Sequence, residues 1–450
     1  MTIKSRKKNN KKNNKTNNKT IKKTKIYGSM IEEKDGWKIV EIYGEPFQRG
    51  YAHGYLLSKE LMKVQEILPF IVKDQLNISF TKYLEKSKQL MYPIVKNKYP
   101  EFFNELRGIS EGAKSVGVDI TTEYLIAWNA FLSLYYYYKD GYNNRCSAFI
   151  ACGDATENRD IVMAHNTHSD FATGQILNII LKVKPSNGNT FTMQTSAGLI
   201  CSTSDWFLVE NGIIGCETTI ADINYKPKFG SGSPYFCRIR QTMQYANSLD
   251  DCKDILLHQN VGDYACSWLF GDINKKEIML CEFGLKKNNV VKMNNGVFYG
   301  MNSPIGDDLR AQETTLEKKH TIKDLSTSIG SRNKRLNYLL NEKYYGKINL
   351  ENAKMIMSDH YDEFSNKVIM NSNNICKHSE LSKKMNYKPH GSTDAKVVNS
   401  TLAKTMNFMG RFGSGCGRIL KVDDYIQKHP KYMKWKNVLH DFVNNSWTKL

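Results

Sequence analysis

A cysteine at the start of a predicted strand is the residue in this chain whose position best suits it for chemistry. Cys146 opens an apolar run that ends at Cys152, and a charged turn leads to a second apolar run over residues 161–167. This pattern predicts a β-hairpin. If the bond between Arg145 and Cys146 is cut, Cys146 carries both a thiol and an α-amino group. That amine has a pKa of about 8 and is a suitable base for the thiol of the same residue.

The segments on the two sides of this hairpin differ in periodicity. Residues 47–140 carry apolar side chains at helical spacing, whereas short apolar runs after residue 146 predict strands. Two helices are predicted within residues 235–258, and residues 310–450 are predicted to be mostly helical. Bursts of strands between helical layers predict an α+β layered fold. The predicted strands cover residues 37–43, 177–183, 191–195, 206–209, 213–219, 268–271, 277–283 and 296–301.

The charge of the chain is concentrated at its beginning. The net charge is +19, and residues 1–30 supply +11 of it through ten Lys and one Arg without any acid, which leaves +8 for the rest (19 − 11). We expect residues 1–30 to form a disordered basic tail with weak affinity for anionic surfaces. The tail lacks interleaved aromatic residues, so specific nucleic-acid binding is not expected.

Composition also bears on the compartment. No apolar segment follows the basic residues, and no apolar stretch reaches the ~18 residues that span a bilayer. The ten cysteines include no Cys-x-x-Cys pair, which favours free thiols in a reducing compartment. We therefore expect a cytoplasmic protein without a signal peptide.

Metal binding is not predicted from the sequence. Cys376 and His378, together with His360, are the combination that comes nearest to a ligand set, but their spacing fits no common zinc pattern. No metal and no cofactor are therefore expected. The loop at residues 410–417 is rich in glycine, but it does not follow a strand and open a βαβ unit, so it is interpreted as turn geometry.

Several phrases together resemble one family. The chain is similar to the penicillin acyl-coenzyme A acyltransferase-like cysteine hydrolases and to the related phospholipase B-like proteins, both of which are N-terminal nucleophile (Ntn) hydrolases. The phrases lie between residues ~40 and ~420. In chain order they are Tyr43-Gly44-x-Pro46-Phe47-x-Arg49-Gly50-Tyr51-x-His53-Gly54, Cys146-Ser147-Ala148-Phe149-Ile150, Ala164-His165-Asn166-Thr167, Ala197-Gly198-x-Ile200-x-Ser202-x-x-Asp205-Trp206-Phe207, Asn211-Gly212-Ile213, Glu217-Thr218-Thr219-Ile220, Trp268-Leu269-x-Gly271-Asp272, Glu277-Ile278, Asn302-x-Pro304, Asp359-His360-Tyr361-Asp362 and Phe412-Gly413-Ser414-x-Cys416-Gly417.

The resemblance implies a four-layer αββα fold and self-cleavage before Cys146. Residues 31–145 would then be a mainly helical pro-segment, and residues 146–450 the catalytic region, with 31–450 folding as one unit. The implied activity is hydrolysis or transfer of the acyl group of an amide or ester through a thioester, on a small acylated substrate or a lipid. Two alternatives stay open, a phospholipase B-like lipid hydrolase and a catalytically weak binding or structural protein on the same scaffold. The oligomeric state is not predicted.

The resemblance also suggests site residues. It assigns His165 to orientation or proton transfer and Asn166 to hydrogen bonding, beside the nucleophile Cys146. The candidate substrate-binding residues are Asp205, Trp206, Glu217, Thr218 and Arg310, with a loop-anchoring role as the alternative for Asp205 and Trp206.

Two positions depart from the family pattern. Relatives often have Asn, a candidate oxyanion donor, near the position where this chain has Cys266 and Ser267. A thiol is a weak hydrogen-bond donor, and the loss of one oxyanion donor typically costs ~10²–10³ in rate. The other departure is Arg145, because a small residue before the nucleophile eases the strain of self-cleavage. Cys266 and Ser267 are therefore the oxyanion candidates, and processing at Arg145 is an open expectation.

Overall fold

The computed structural model describes residues 25–139, 146–230 and 232–450. Most of the predicted basic tail, residues 1–24, lies outside these ranges, and so does Arg145. The strands are β1 Gly28–Lys34, β2 Trp37–Gly44, β3 Ser147–Cys152, β4 Val162–Asp170, β5 Ile179–Pro185, β6 Phe191–Thr195, β7 Trp206–Val209, β8 Ile213–Thr219, β9 Cys266–Asp272, β10 Glu277–Phe283, β11 Asn288–Met293, β12 Gly296–Gly300, β13 Tyr361–Asp362, β14 Lys367–Val368, β15 His390–Asn399, β16 Met409–Phe412 and β17 Thr448–Lys449.

Helices precede, separate and follow these strands. The α-helices are α1 Pro46–Leu56, α2 Ser58–Ile71, α3 Phe80–Leu90, α4 Tyr92–Lys98, α5 Pro100–Lys114, α6 Thr122–Asn129, α7 Phe131–Tyr138, α8 Phe171–Gly174, α9 Tyr235–Tyr245, α10 Leu249–Leu257, α11 Asp307–Glu313, α12 Ser328–Tyr338, α13 Leu350–Met357, α14 Ser400–Ala403 and α15 Val422–Lys428. Single π-helical turns follow α2 and α12 at Val72–Leu76 and Leu339–Lys343. Short 3₁₀ turns lie at Gly153–Ala155, Ser379–Leu381, Lys383–Met385 and Pro430–Asn437.

Two sheets face each other in the middle of the molecule. The described strands form a nine-stranded sheet in the order β1-β2-β5-β6-β7-β8-β9-β10-β11 and a six-stranded sheet in the order β12-β3-β4-β15-β16-β17. Apolar side chains of both sheets, such as Ile150, Ile214 and Leu269, share one buried core between them. A second core joins the large sheet to helices such as α6 and α9, and a third joins the small sheet to α12 and α13. The fold is therefore the four-layer αββα sandwich of the α+β class that the sequence predicts.

Local sequence explains the hairpin that carries the nucleophile. The strands β3 and β4 pair antiparallel, with Ala148 opposite His165 and Ile150 opposite Met163. The turn between them holds Arg159 at a φ of +54°, in the left-handed region. The predicted hairpin is confirmed in position, and its register places Asn166, in the middle of β4, opposite Ser147, the first residue of β3.

The structure differs from the sequence-based boundaries at both ends of the chain. The strand β1 begins at Gly28, inside the range predicted to be a disordered tail, because its pairing with β2 places it at the edge of the large sheet. The strand β15 crosses the block predicted to be mostly helical and pairs with β4 along its full length. Polar residues such as Ser392, Asp394 and Lys396 interrupt the apolar pattern of β15. The periodicity of the sequence therefore does not predict this strand.

The first helix is locked onto α5 by backbone contact. Gly50 and Gly54 of α1 meet Gly108 and Gly112 of α5, and a Cβ at any of these positions would overlap backbone atoms of the other helix. Beside this crossing, Arg49 donates to Glu105 at 2.6 Å. The residues of the first family phrase therefore hold a helix in place rather than line the candidate active site.

Candidate active site

Cys146 lies immediately before β3 at the interface of the two sheets. Its side chain is buried, with 1% of its surface exposed, and strand alternation places it on the same face as Ala148 and Ile150, which belong to the core between the sheets. Its Sγ lies 4.0 Å from Oδ2 of Asp205. A ring nitrogen of His165 and a carboxylate oxygen of Asp205 both lie within 4.8 Å of the sulfur and of one another. The structure therefore brings together a thiol, an imidazole and a carboxylate.

His165 is held as a neutral imidazole. Its Nε2 lies 2.9 Å from the backbone oxygen of Glu217, and because a carbonyl oxygen only accepts, Nε2 carries the proton. Burial lowers the pKa of His165 well below its usual value, and the positive charge of Lys396 acts in the same direction. Nδ1 makes no hydrogen bond among the described residues, so its lone pair is available to take a proton.

Asp205 is presented by a tightly held loop between β6 and β7. Its φ of +64° is in the left-handed region, which non-glycine residues adopt rarely and mostly where the surrounding structure enforces it. The hydroxyls of Ser202 and Ser204 both donate to the backbone oxygen of Gln194, which fastens the loop to β6. The predicted substrate-binding residue Asp205 thus lies directly beside the nucleophile.

Arg332, which was not predicted from the sequence, binds the backbone of Cys146. This arginine of α12 is fully buried and donates from Nη1 to the backbone oxygen of Cys146 at 2.6 Å and to Ser147 Oγ at 3.1 Å. From Nη2 it donates to the backbone oxygen of Met301 at 2.9 Å and to Asn302 Oδ1 at 2.8 Å. None of its hydrogen-bond partners among the described residues is a carboxylate, and burial lowers its pKa to about 9. No local motif marks Arg332, because it is 186 residues from Cys146.

A second missed feature is a polar network between the sheets. Lys396 is fully buried on β15 and donates from Nζ to Asp394 and Gln194 at 2.5 Å each and to Thr167 Oγ1 at 2.8 Å. In the strand register Lys396 lies opposite His165. This cation therefore adds to the electrostatic cost of protonating His165.

An apolar pocket opens at Cys146. It holds about 470 Å³ of space unfilled by protein atoms, part of which is open to solvent. Residues from the segment before the nucleophile form one wall, and the loop that carries Asp205 forms another. Its described lining contains no Lys or Arg. The apolar lining residues are Trp128, Phe131, Leu132, Leu177 and Leu199.

The structure places the side chain of Asn166 on the face of β4 opposite to His165. Successive residues of a strand point to opposite faces, so Asn166 faces away from its neighbour His165 and from the core between the sheets. Its Nδ2 donates to the backbone oxygens of Met357 at 2.8 Å and Ile375 at 3.0 Å. Asn166 therefore fastens the outer layer to β4.

Four other predicted substrate-binding residues do not line the pocket. Trp206 is fully buried in the core between the sheets, 5.4 Å from the ring of Phe408. Thr218 packs against Gly300 of the facing sheet, and the carboxylate of Glu217 accepts from the Tyr264 hydroxyl at 2.6 Å. Glu217 still touches the site through its backbone oxygen, which accepts from His165.

Arg310, the fifth of these candidates, is engaged away from the nucleophile. It donates to Glu317 at 2.6 Å and pairs with Asp307, while Nη1 donates to the backbone oxygen of Pro304 at 3.0 Å. These contacts occupy its guanidinium. The cation that contacts the backbone of the nucleophile is Arg332, not the predicted Arg310.

The two oxyanion candidates are also placed by their strand. Ser267 donates its hydroxyl to Glu282 at 2.9 Å, so that proton is engaged elsewhere. Burial raises the pKa of the Cys266 thiol well above its usual value, and Glu217 and Asp205 add to this shift. Cys266 is therefore a neutral thiol, and neither residue lines the pocket at Cys146.

No protein-family model matches the chain. An uncharacterized protein from Archaeoglobus fulgidus is 23% identical over 269 residues, which cover 54% of this chain and 42% of the length of that protein. Among the described residues, no helix is both long and apolar enough to cross a bilayer.

The solved structures that are similar to the chain include two mutants of the conjugated bile acid hydrolase from Clostridium perfringens. The first has a TM-score of 0.36 and 11% identity, and covers 59% of this chain and 89% of its own. The second has a TM-score of 0.28 and 12% identity, and covers 61% of this chain and 83% of its own. Because both TM-scores are low, functional inference rests on the chain's own residues.

Proposed function

We propose that the protein is a cysteine hydrolase or acyltransferase of the Ntn type, which cleaves or transfers the acyl group of an amide. One observation carries the proposal. The thiol of Cys146, immediately before the strand β3, lies within 4.8 Å of His165 and Asp205 and faces a mainly apolar pocket. An activated nucleophile, a proton acceptor and a cleft for the acyl group are what acyl transfer requires.

Release of the nucleophile is the first proposed step. In the precursor, Nδ1 of His165 accepts the thiol proton of Cys146, and the sulfur attacks the carbonyl carbon of Arg145. The C–N bond breaks, the new α-amine takes the proton, and Arg145 is held as a thioester. Water then hydrolyses the thioester and leaves fragments of 145 and 305 residues (450 − 145). The Nε2-protonated tautomer of His165, which leaves the lone pair of Nδ1 without a hydrogen bond among the described residues, supports its role as the base.

In turnover the released α-amine of Cys146 serves as the base. It accepts the thiol proton as the sulfur attacks the substrate carbonyl, and it returns that proton to the departing amine. The product is a thioester on Cys146, which water or a second amine resolves. The carboxylate of Asp205, 4.0 Å from the sulfur, stabilises the protonated amine.

The pocket lining supports an apolar, uncharged acyl group. Five apolar side chains line it, and its described lining contains no Lys or Arg to bind a carboxylate or phosphate. The other lining residues are Cys146 and the polar residues Asn129, Thr167, His168, Ser169, Thr173, Thr203 and Asp205. The acyl chain of a lipid ester is also apolar and uncharged, so the pocket lining fits both functions. The amide hydrolase and the phospholipase B-like alternative therefore differ in the group that leaves when the acyl group is transferred. Comparing N-acyl amino acids with lysophospholipids of the same acyl chain separates the two. Higher kcat/KM for the amide supports our proposal, and fatty-acid release from the lipid alone overturns it.

Mass spectrometry of the purified full chain tests the nucleophile. We expect a fragment that begins Cys-Ser-Ala-Phe and forms a covalent adduct with a thiol-directed acyl probe. Cys146→Ala is expected to abolish both processing and labelling. The matched control is Cys281→Ala, because Cys281 is a buried cysteine of β10 outside the site, and we expect it to behave like the wild type. If the chain stays intact, does not react with the probe and turns over no substrate, the proposal is overturned in favour of a binding protein on the same scaffold.

A further inference from the structure

A second cluster of cysteine and histidine residues lies in the C-terminal third of the chain. It consists of His360, Cys376, His378 and Cys416, each of which offers one ligand atom within 4.8 Å of the other three. His360 lies between α13 and β13, Cys376 and His378 lie in the loop after β14, and Cys416 follows β16. The fold therefore gathers these side chains from three separate loops onto one point.

The distances within the cluster match a tetrahedral metal site. Zn–N bonds of about 2.05 Å and Zn–S bonds of about 2.3 Å in a tetrahedron require N···N separations of about 3.3 Å and N···S separations of about 3.5 Å. The two Nε2 atoms of His360 and His378 are 3.2 Å apart. The sulfurs of Cys376 and Cys416 each lie 3.5 Å from Nε2 of His378.

Hydrogen bonds alone do not account for this arrangement. Nε2 of His378 has three polar neighbours at 3.2–3.5 Å, although one ring nitrogen carries at most one proton. Nδ1 of His378 lies 2.8 Å from Oε1 of the buried Glu380, so Nδ1 carries a proton and donates it. The lone pair of Nε2 therefore points into the cluster. A carboxylate behind a histidine is the usual way in which proteins orient a metal ligand.

We propose that His360, Cys376, His378 and Cys416 bind one Zn²⁺ ion as a closed structural site. Two thiolates and two imidazoles favour zinc over the harder cations, which prefer oxygen ligands. Two thiolates balance the charge of the ion. Glu380, which supports His378, has Arg418 3.7 Å away, so the outer layer of the site is balanced as well.

The position of the site gives it a structural role next to the candidate active site. Ile375, which precedes the ligand Cys376, accepts hydrogen bonds from Asn166 Nδ2 and His168 Nε2, both at 3.0 Å. Both donors lie on β4, the strand that carries His165. The ion thus holds the loop that supports β4 from its outer face. This role does not depend on the proposed acyl transfer.

Metal analysis of the full chain, purified under reducing conditions and without chelator, tests the proposal. We expect about one zinc per chain, and a fall below about 0.1 in Cys416→Ser. Cys281→Ser is the matched control, because Cys281 is a buried cysteine on β10 away from the cluster, and it is expected to keep the metal. Glu380→Gln is expected to keep all four ligands but to bind zinc ~10–100-fold more weakly in a chelator competition.

A second measurement keeps the test decisive if Cys416→Ser does not fold. The wild-type chain, exchanged into Co²⁺, is expected to show the thiolate charge-transfer and intense visible bands of a tetrahedral site with two sulfur ligands. A wild-type chain that takes up no zinc from excess overturns the proposal. So does a Co²⁺ spectrum without thiolate bands, or a disulfide between Cys376 and Cys416 under native conditions.

Discussion

The orientation of single side chains decides what the nucleophile can do. His165 and Asn166 are neighbours in the sequence, but the alternation of β4 directs only His165 toward Cys146. Arg332 approaches from the other face and binds the backbone of Cys146 rather than its thiol. The proposed chemistry therefore depends on one imidazole and one carboxylate near the sulfur, while Arg332 holds the backbone of Cys146 in place.

Replacing Arg332 with lysine is expected to slow both processing and turnover. Lysine has one point charge and no planar fork, so it cannot reach the carbonyls of Cys146 and Met301 together, and Cys146 is no longer held in register. A displacement of about 1 Å near the reacting atoms costs up to about 10²-fold in rate. We expect kcat/KM to fall ~10–100-fold in Arg332→Lys. Labelling by the acyl probe is measured alongside kcat/KM.

The matched control for this change is Arg310→Lys. Arg310 is also largely buried and paired, but its partners lie on or near α11, away from Cys146. We expect kcat/KM of this variant to stay within about twofold of the wild type, because it leaves the backbone of the nucleophile untouched. An equal loss in the two variants would show that Arg332 acts only through general stability.

Cys146 and His165 were predictable from the sequence because they lie on one hairpin. A hairpin is local, so an apolar run, a turn and a second run determine which residues become neighbours. The placement of Asn166 on the opposite face from His165 has the same local origin, because one step along a strand reverses the face. Arg332 and Lys396 were not predictable, because nothing in their surrounding sequence indicates which distant strand they reach.

At the scale of elements, the crossing of α1 and α5 sets the position of the pocket wall. Both helices approach until their backbones touch, which the glycine pairs permit. His53 of α1 accepts a hydrogen bond from the backbone N–H of Gly198 at 2.8 Å, in the loop before Leu199 of the pocket. A shift of α1 therefore displaces a loop of the candidate site.

Gly50→Ala is expected to destabilise the fold by pushing the two helices apart. The new Cβ would overlap the carbonyl oxygen of Glu105, a backbone atom that cannot rotate away. Overpacking of this kind costs about 1–3 kcal/mol in the free energy of unfolding. Urea unfolding followed by circular dichroism measures the change. Lys114→Ala, at an exposed site near the end of α5, is the control, and an equal effect there would contradict this account.

Most elements of the fold follow from local pattern, and the exceptions have physical causes. The predicted segments for β6, β7, β8 and β10 coincide with the observed strands, because apolar, β-branched and aromatic residues dominate them. The strand β15 was missed because its polar residues form the buried network of Lys396. The four residues of the proposed zinc site were not connected either, since their spacing in sequence depends on where three unrelated loops meet.

At the scale of the whole molecule, the strands before Cys146 are part of the same sheet as those after it. The strand β2 pairs parallel with β5 over seven residues, and β1 forms the edge of the large sheet. The segments before and after Cys146 therefore bury residues against each other. Three histidines of these segments have no exposed surface: His53, His165 and His168. Burial is the main cause that lowers the pKa of all three below the usual value.

The lowered pKa values of these histidines predict that the fold loses stability in mild acid. The pKa of His53 is lowered to about 4 in the folded chain, whereas an unfolded histidine has a pKa of about 6.5. As the pH falls from 6.5 toward 4, His53 binds a proton in the unfolded chain but stays neutral in the folded chain. The free energy of unfolding therefore falls. The contribution is fully present above pH 6.5 and amounts to roughly 3 kcal/mol for His53.

Urea unfolding at pH 7, 6, 5 and 4.5 measures this dependence. Between pH 6.5 and 4.5, wild-type stability is expected to fall more steeply than that of His53→Gln, by up to about 1.4 kcal/mol per pH unit, because the variant removes one proton from the balance. A constant offset from the lost contact with Gly198 does not affect this slope. His440→Gln, at an exposed histidine, is expected to keep the wild-type slope. Parallel curves for the wild type and His53→Gln would show that burial of His53 does not govern acid sensitivity.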